Sequence, residues 1–209
     1  MPSKRKILFF VPTILYLLFF LWYTNLSGPL TQEEIDTVLD RLQSQQASPA
    51  EIARMRQFME EDTGRQFIMV NLIDMNPNPP ELPATGPGAS SGQLMGYYME
   101  YMYPALLRRA SHPVFAGLAI APAMDIVGIE GAENWDRGAL MRYRSRRDLL
   151  EIAGNPVFND RHDYKVGALT KTIAYPVEVN LYFSDPRFLL LLILLVLTLT
   201  TDALVYRRS

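Results

Sequence analysis

Two apolar runs, one at each end of the 209-residue chain, constrain its fold most strongly. The first run covers residues 7–23 and the second covers residues 188–206. As helices, both would be long enough to cross the hydrocarbon core of a bilayer. A cleaved signal peptide is the alternative for the first run, although no small-x-small cleavage site follows it. The sequence therefore predicts transmembrane segments over residues 1–24 and 187–206, with the lipid bilayer as a partner.

The charges beside these runs predict a membrane topology. Basic residues flank both runs on the sides away from the middle of the chain: Lys4, Arg5, Lys6, Arg207 and Arg208. The positive-inside rule then places both termini in the cytoplasm and residues 24–187 outside it, in the periplasm if the membrane is a bacterial inner membrane. Asp202, near the end of the second run, is expected at the membrane interface, and a functional intramembrane carboxylate is the alternative.

The composition excludes several kinds of function. The formal net charge is −2, and because the ends are basic, the middle of the chain is acidic, which argues against nucleic-acid binding. The chain has no cysteine, so disulfides, thiolate metal sites and cysteine nucleophiles are excluded. The two histidines lie far apart and lack zinc-binding spacing, and the chain has no phosphate-binding loop, dinucleotide fingerprint or nucleophile elbow. We therefore expect no metal and no cofactor.

Residues 31–64 have the pattern of a helical hairpin. Thr31 with Glu34 and Ser48 with Glu51 each have the spacing of a capping box at a helix start. Apolar residues follow both starts at helical spacing, and Gly64 is a natural stop. The simplest interpretation is a hairpin that connects the anchor to the next domain, and a docking surface for a partner is the alternative.

Residues 65–183 mix strand and helix patterns, which predicts an α+β domain. Strands are predicted over residues 66–74, 114–121, 125–130, 138–144 and 171–183, and helices over residues 93–111 and 145–154. Residues 76–92 and the polar cluster at 159–163 are expected to be loops. Pro176 indicates an edge strand or its end. The Tyr and Met stripe of the first helix favours core packing over a ligand site. This order of elements is a split β-α-β layout.

Four segments of this domain, with the Tyr-rich helix that lies between the first two, carry a family resemblance. They are F-I-M-V-N-L-I-D, W-D-R-G-A-L-M-R-Y-R-S-R-R-D-L-L, N-P-V-F and R-H-D-Y-K-V-G-A-L-T-K-T. Together they resemble a bacterial protein family of unknown function in the dimeric α/β-barrel superfamily of ferredoxin-like folds, which also contains antibiotic-biosynthesis monooxygenases. The resemblance covers residues 66–178. It implies a ferredoxin-like subunit that pairs with a second copy through its sheet and has a cleft between sheet and helices.

Four residues are candidates for a catalytic role. His162 lies in a polar cluster and is either an acid or base or part of a structural loop. Arg142 and Arg144 share one strand face and would hold an anion or form a solvated surface. Trp135 would line a cleft or close the core. The other histidine, His112, precedes a proline and is expected to be a capping or loop residue.

Two functions remain open from the sequence. The first is a non-catalytic, membrane-anchored module that dimerises and binds a partner or a small apolar ligand. The second is a cofactor-independent monooxygenase or isomerase that acts on a small apolar or aromatic substrate. An open cleft containing His162 or the arginines would favour the enzyme. The free face of the sheet needs cover, either from a second subunit, giving a homodimer, or from the hairpin of residues 31–64.

Overall fold

The computed structural model describes residues 2–206 of the chain. Residues 27–178 form one compact unit, and the two terminal segments form the other. The basic residues Arg207 and Arg208 lie outside the described residues. Within them the elements are, in chain order, α1 (Pro2–Tyr23), α2 (Gln32–Ser44), α3 (Pro49–Glu60), β1 (Phe67–Met75), α4 (Ser91–Arg108), β2 (His112–Leu118), β3 (Arg137–Tyr143), α5 (Arg146–Ala153), α6 (Pro156–Gly167), β4 (Leu169–Glu178) and α7 (Pro186–Val205).

The terminal unit consists of α1 and α7. Lys4–Tyr23 and Pro186–Val205 are each 20 residues long, with mean hydropathies of 1.9 and 2.6, so both are long and apolar enough to cross a membrane. At one end of the pair, the Arg5 guanidinium binds Asp202 with two hydrogen bonds of 2.8 and 3.0 Å, and Asp202 is only 4% exposed. At the other end, Arg187 donates to the Thr24 hydroxyl over 3.2 Å. Asp202 is therefore a paired carboxylate that joins the two helices.

The second unit contains a four-stranded antiparallel sheet in the order β2-β3-β1-β4. Helix α4 connects β1 to β2, and α5 and α6 connect β3 to β4. This β-α-β-β-α-β sequence of elements on an antiparallel sheet is the ferredoxin-like arrangement. The α+β class and the split layout predicted from the sequence are confirmed in the described residues.

The helices cover one face of the sheet. Phe67, Met69 and Tyr143 alternate with residues of the opposite face, as the period of two in a strand requires. They pack into one core with residues of the three helices: Leu94, Tyr98, Met102, Ala105, Leu106, Ile152, Tyr164 and Ala168. The opposite face, called the free face below, is apolar in its centre: Ile68, Val70, Leu72, Phe115, Leu140, Ile173, Tyr175 and Val177.

The α2–α3 hairpin packs beside α5, on the helix-covered side of the sheet. Both predicted capping boxes form, at Thr31 and at Ser48. Ile35, Leu39 and Met59 form a small core with Leu150 of α5. A salt bridge between Glu34 of α2 and Arg147 of α5 adds to the same contact. The apolar stripes of the hairpin are therefore buried without covering the free face.

The structure corrects four expectations about the middle domain. Residues 159–163 lie in helix α6, because Asn155 caps a helix that starts with Pro156 at its first position. Residues 125–130 form no strand; they belong to a long connection in which Gly128 has φ +72°. Strand β4 ends at Glu178, five residues before the predicted end. His112 is the first residue of β2 instead of a loop residue.

The strand predictions for residues 66–74 and 138–144 hold to within one residue. Pro176 lies in β4, which is an edge strand of the sheet, where the missing backbone N–H costs no ladder hydrogen bond on the open side. Helix α4 passes through Pro104 without a break.

The docking of the hairpin is expected to weaken in acid. Hydrogen bonds from Arg147 lower the pKa of Glu34 to about 2. Because the pKa is lower in the folded state, the stabilisation is present above the unfolded value of about 4.3 and is lost as the pH falls toward 2. Pepsin cleavage of α2 should therefore be slower in the wild type than in Glu34→Gln at pH 5, and the two rates should converge near pH 2. A rate ratio that stays constant over this range would contradict the role of the Glu34–Arg147 pair.

Candidate functional site

A cleft of about 310 Å³ lies between the sheet and the helices that cover it. The floor is the helix-covered face of all four strands, and the roof is formed by α4, α5 and α6. The floor residues near its centre are small: Ala116, Ala139 and Ala174. Their side chains do not reach the opposite helices, and the space between the layers therefore stays open. The volume lies at the lower end of the range of about 300–1,000 Å³ for small-molecule sites.

Methionine dominates the apolar lining. Six of the ten methionines in the chain line the cleft: Met69, Met75, Met95, Met99, Met102 and Met141. Unbranched, polarisable thioethers adapt to ligands of different shape and make favourable contacts with aromatic rings. The sequence predicts that the Tyr and Met residues of α4 pack in the core. They do so on one side of this helix, and on the other side they line the cleft.

Three tyrosines line the cleft: Tyr98 and Tyr143, which are buried, and Tyr103, which is exposed. Burial raises the pKa of Tyr143 to about 12 and also raises the pKa of Tyr98, so both phenols are protonated at neutral pH. Neither phenolate is accessible as a base. Both rings serve as apolar walls with a neutral polar tip.

The polar residues of the cleft gather toward one end of the sheet. Arg137 and Thr172 both lie opposite Ile73 in the ladder, and Lys165 is in the last turn of α6, which leads into β4 at Leu169 beside Met75. Asn71 lies two residues before Ile73 on the same face of β1, where its amide nitrogen donates to the carbonyl oxygens of Met69 and Ala139 over 3.0 and 3.3 Å. We call this region the cationic end.

Burial lowers the pKa of Lys165, because an ammonium group loses solvation in an apolar environment. Its Nζ lies 5.8 Å from the centroid of the Tyr98 ring. Within residues 2–206, neither Lys165 nor Arg137 makes a salt bridge, and no aspartate or glutamate lines the cleft. The cleft therefore presents positive charge without a counter-ion.

A second depression of about 630 Å³, called the outer groove below, lies between the hairpin and the edge of the sheet at β4. It shares Met69, Leu149 and Ala174 with the cleft. The hairpin thus forms one wall of an apolar region that adjoins the cleft on the side away from the cationic end.

The structure places His162 in the packing of α6 against α4. Its ring stacks on Phe158 at 5.0 Å and meets Tyr98 edge-on at 6.3 Å. Burial lowers its pKa, with a further contribution from the charge of Lys165, which favours the neutral imidazole at pH 7. His162 is not among the residues that line the cleft.

The other three candidates also lie outside the cleft lining. Arg142 is on the free face and fully buried, where it donates to Gln66 Oε1 over 2.8 Å and to the carbonyl oxygen of Ala110. Arg144 follows β3 and forms a salt bridge with Asp148 at 2.6 Å. Trp135 lies in the β2–β3 connection with the Lys171 ammonium 4.8 Å from its ring centroid. The two arginines therefore lie in different environments and do not form a shared anion site in the described residues.

Sequence reasoning did not single out Lys165, Arg137 or the group of methionines in the cleft. Lys165 stands in a polar segment, R-H-D-Y-K-V-G, where a lysine near a helix end is ordinary. Lys165 and Thr172 lie on either side of the start of β4. This spacing indicates a shared location in the fold only when residues 156–167 are helical. Among residues 2–206, no group of three or more His, Asp or Glu side chains is arranged to hold a metal ion.

Arg142 is expected to be structural. Arg142→Met leaves the Ala110 carbonyl oxygen and the Gln66 side chain without their buried donor, which should cost about 1–3 kcal/mol of unfolding free energy. The exposed Arg108, changed to Met in the same way, should change the stability by less than about 0.5 kcal/mol. Pulse proteolysis of the full chain over a urea series measures both. Equal stabilities for the two variants would show that Arg142 is not held as described.

Comparisons with known proteins show which solved structures share this fold. No family model matches the chain, and no curated protein matches it. A protein of unknown function from Rhodopseudomonas palustris is similar in structure, with a TM-score of 0.52 and 18% identity, over 65% of this chain and 95% of that one. At this identity, the likeness shows the fold alone.

Two more distant structures are also similar. One is a dimeric protein of unknown function and ferredoxin-like fold from Bacteroides fragilis, with a TM-score of 0.33 and 12% identity, over 55% of this chain and 96% of that one. The other is SnoaB, a cofactor-independent oxygenase from Streptomyces nogalater, with a TM-score of 0.32 and 8% identity, over 58% of this chain and 99% of that one. At these TM-scores, neither carries an argument about the function of this chain.

Proposed function

We propose that this chain is a membrane-anchored binding module that holds a small apolar molecule in its cleft and dimerises through the free face of its sheet. The observation that carries the proposal is the open cleft. A core of this fold whose only role was structural would be filled, since protein interiors pack to crystal-like density. Small floor residues opposite flexible methionines instead leave a cavity of ligand size.

The residues that line the cleft are better suited to binding a ligand than to catalysing a reaction. A cofactor-independent monooxygenase or isomerase needs an acid or base within hydrogen-bond reach of its substrate. The candidates His162, Arg142, Arg144 and Trp135 do not line the cleft, and the two buried tyrosines of the lining are protonated and therefore are not bases. The remaining groups can hold a ligand in place but offer no evident acid–base pair.

The free face supports dimerisation. It is largely apolar, with Phe115 of β2 55% and Tyr175 of β4 47% exposed, and Asp74 and Lys171 are ladder neighbours at one margin. Contiguous apolar faces of this kind mark interaction surfaces. The hairpin buries its own stripes against α5, so it does not supply the cover. A second copy related by a two-fold axis is the simplest partner.

The terminal helices support anchoring with both ends in the cytoplasm. Their length and apolarity suit spanning segments, and basic residues lie at their outer flanks. Residues 27–178 would then be outside the cytoplasm.

Reporter fusions test this topology. A phosphatase that is active only outside the cytoplasm, inserted after Ser27, should be active, and the same phosphatase fused after Ser209 should be inactive. Changing Lys4, Arg5 and Lys6 together to Asn should weaken the preference of the first helix, because the positive flank sets its orientation. Activity from the C-terminal fusion would contradict the proposed arrangement.

Native mass spectrometry of the full chain tests binding and dimerisation together. The wild type should appear as a dimer with an additional small-molecule mass on each copy. Ala139→Phe places a ring in the centre of the cleft and should remove that mass without changing the dimer. Ala53→Phe, on the exposed side of α3, is the matched control and should leave both unchanged.

A charge on the free face separates the two properties. Val70→Arg should give a monomer that still carries the ligand, because an unpaired charge in an apolar interface is costly. Val166→Arg, at an exposed position of α6, should remain dimeric. A wild type without bound mass that is indistinguishable from Ala139→Phe would argue against the binding function, and a monomeric wild type would argue against the dimer.

A further inference from the structure

We propose that the ligand of the cleft is an apolar molecule with one anionic group, such as a carboxylate, and that Lys165 binds this group. The inference rests on the binding function proposed above and specifies the chemical class of the ligand.

The first argument is the environment of Lys165. Its ammonium group extends among the apolar residues of the cleft, with the Tyr98 ring 5.8 Å away. Burying a charge without a partner is unfavourable, so buried charges are normally paired. Within residues 2–206 no carboxylate pairs with Lys165. An anionic ligand would supply the missing partner.

The second argument is that the charge is not isolated. Arg137 lines the cleft at the same end and is also without a carboxylate partner in the described residues. Asn71 and Thr172 lie beside it, but their N–H and O–H groups donate to backbone carbonyl oxygens, so the two cations are the groups that an anion would contact. Two cations in an otherwise apolar space form an arrangement that favours a ligand with a single negative head and an apolar body.

A purely structural role for Lys165 does not explain why its ammonium group lies inside the cleft. A lysine in the last turn of a helix interacts favourably with the helix dipole, but a side chain extended into water would do so equally well. The other charged groups near it on α6 are His162, which is favoured in its neutral form, and the exposed Asp163. Neither accounts for the inward position of the ammonium group.

The apolar part of the ligand is limited by the lining. Methionine and tyrosine walls accommodate flat or flexible hydrocarbon groups, and the cavity of about 310 Å³ suits a molecule the size of a phenylalkanoic acid. The outer groove, reached past Met69 and Ala174, leaves space for a longer chain.

Fluorine NMR of the full chain in phosphatidylcholine nanodiscs tests the inference. The probes are a ring-fluorinated phenylbutyrate and the corresponding phenylbutanol, which differ only in the anionic group. Protein-free nanodiscs measure the partition of each probe into lipid. At pH 7, the wild type should bind the carboxylate at least about tenfold more tightly than the alcohol, because a charge pair at low effective dielectric is strong.

The variants assign the preference to a residue. Lys165→Met keeps the length and removes the charge, so the preference for the carboxylate should fall to near unity while the alcohol still binds. Lys171→Met, a lysine on the free face, is the matched control and should keep the preference. Arg137→Met should reduce it partly, and Ala139→Phe should abolish the binding of both probes, which locates them in the cleft.

Each outcome either supports or overturns the assignment of Lys165 as the residue that binds the anionic group. Loss of the preference for the carboxylate in Lys165→Met, with the preference retained in Lys171→Met, supports the assignment. An unchanged preference in Lys165→Met overturns it. Equal binding of the two probes by the wild type overturns the anionic class but leaves the proposed binding function standing. If neither probe binds above the protein-free control, both the inference and the apolar-ligand function fail together.

Discussion

The stack of Phe67 on Tyr143 holds together the part of the domain on which the cleft depends. The two rings lie 5.2 Å apart and within 9° of parallel, across the β1–β3 pair. Phe58 of the hairpin meets Phe67 edge-on at 5.7 Å, and Ile152 of α5 is fully buried in the same core. Burial of such side chains is worth roughly 1.5–3 kcal/mol each. At this end of the sheet, strand, helix and hairpin are therefore fixed to one another.

The opposite end remains open because the side chains there do not meet. The sheet offers Ala116 and Ala139 where the packed end offers Phe67 and Tyr143. Closing the space would require the helices to move toward the sheet, which the packed end resists. Apolar side chains that face water in an open cleft lose the stabilisation of burial, about 25 cal/mol per Å², and a ligand that covered them would restore it. The gradient from aromatic to small residues along the strands thus creates the site.

Local signals in the sequence were sufficient for much of this fold. The caps at Thr31 and Ser48 and the alternation in β1 and β3 involve neighbouring residues, and the structure has them as predicted. The run Gly154, Asn155, Pro156 was ambiguous, because it ends one helix and starts the next. Residues 125–130 have the β-branched composition of a strand, but no neighbouring strand pairs with them.

The candidate site was harder to predict because it depends on distant residues. Whether a lysine is exposed or inside a cleft follows from which helix carries it and what packs above it. The position of Lys165 is set by α6, which the sequence pattern concealed, and by Tyr98 on α4, 67 positions earlier. Arg137 joins it only because β3 lies between β1 and β2 in the sheet. His162, the more conspicuous residue in the same segment, faces Phe158 instead.

The direction of the strands also places the cationic end far from the two points at which the chain leaves residues 27–178. Both connections of residues 27–178 to the terminal segments are near the packed end: Glu178 pairs with Phe67, and Arg147 donates to the Pro29 carbonyl oxygen over 2.9 Å. Arg137 and Thr172 lie opposite Ile73, six residues along β1, which corresponds to roughly 20 Å. The cationic end is therefore separated from the points where the chain leaves the domain. The outer groove, by contrast, lies beside the hairpin, on the side of those points.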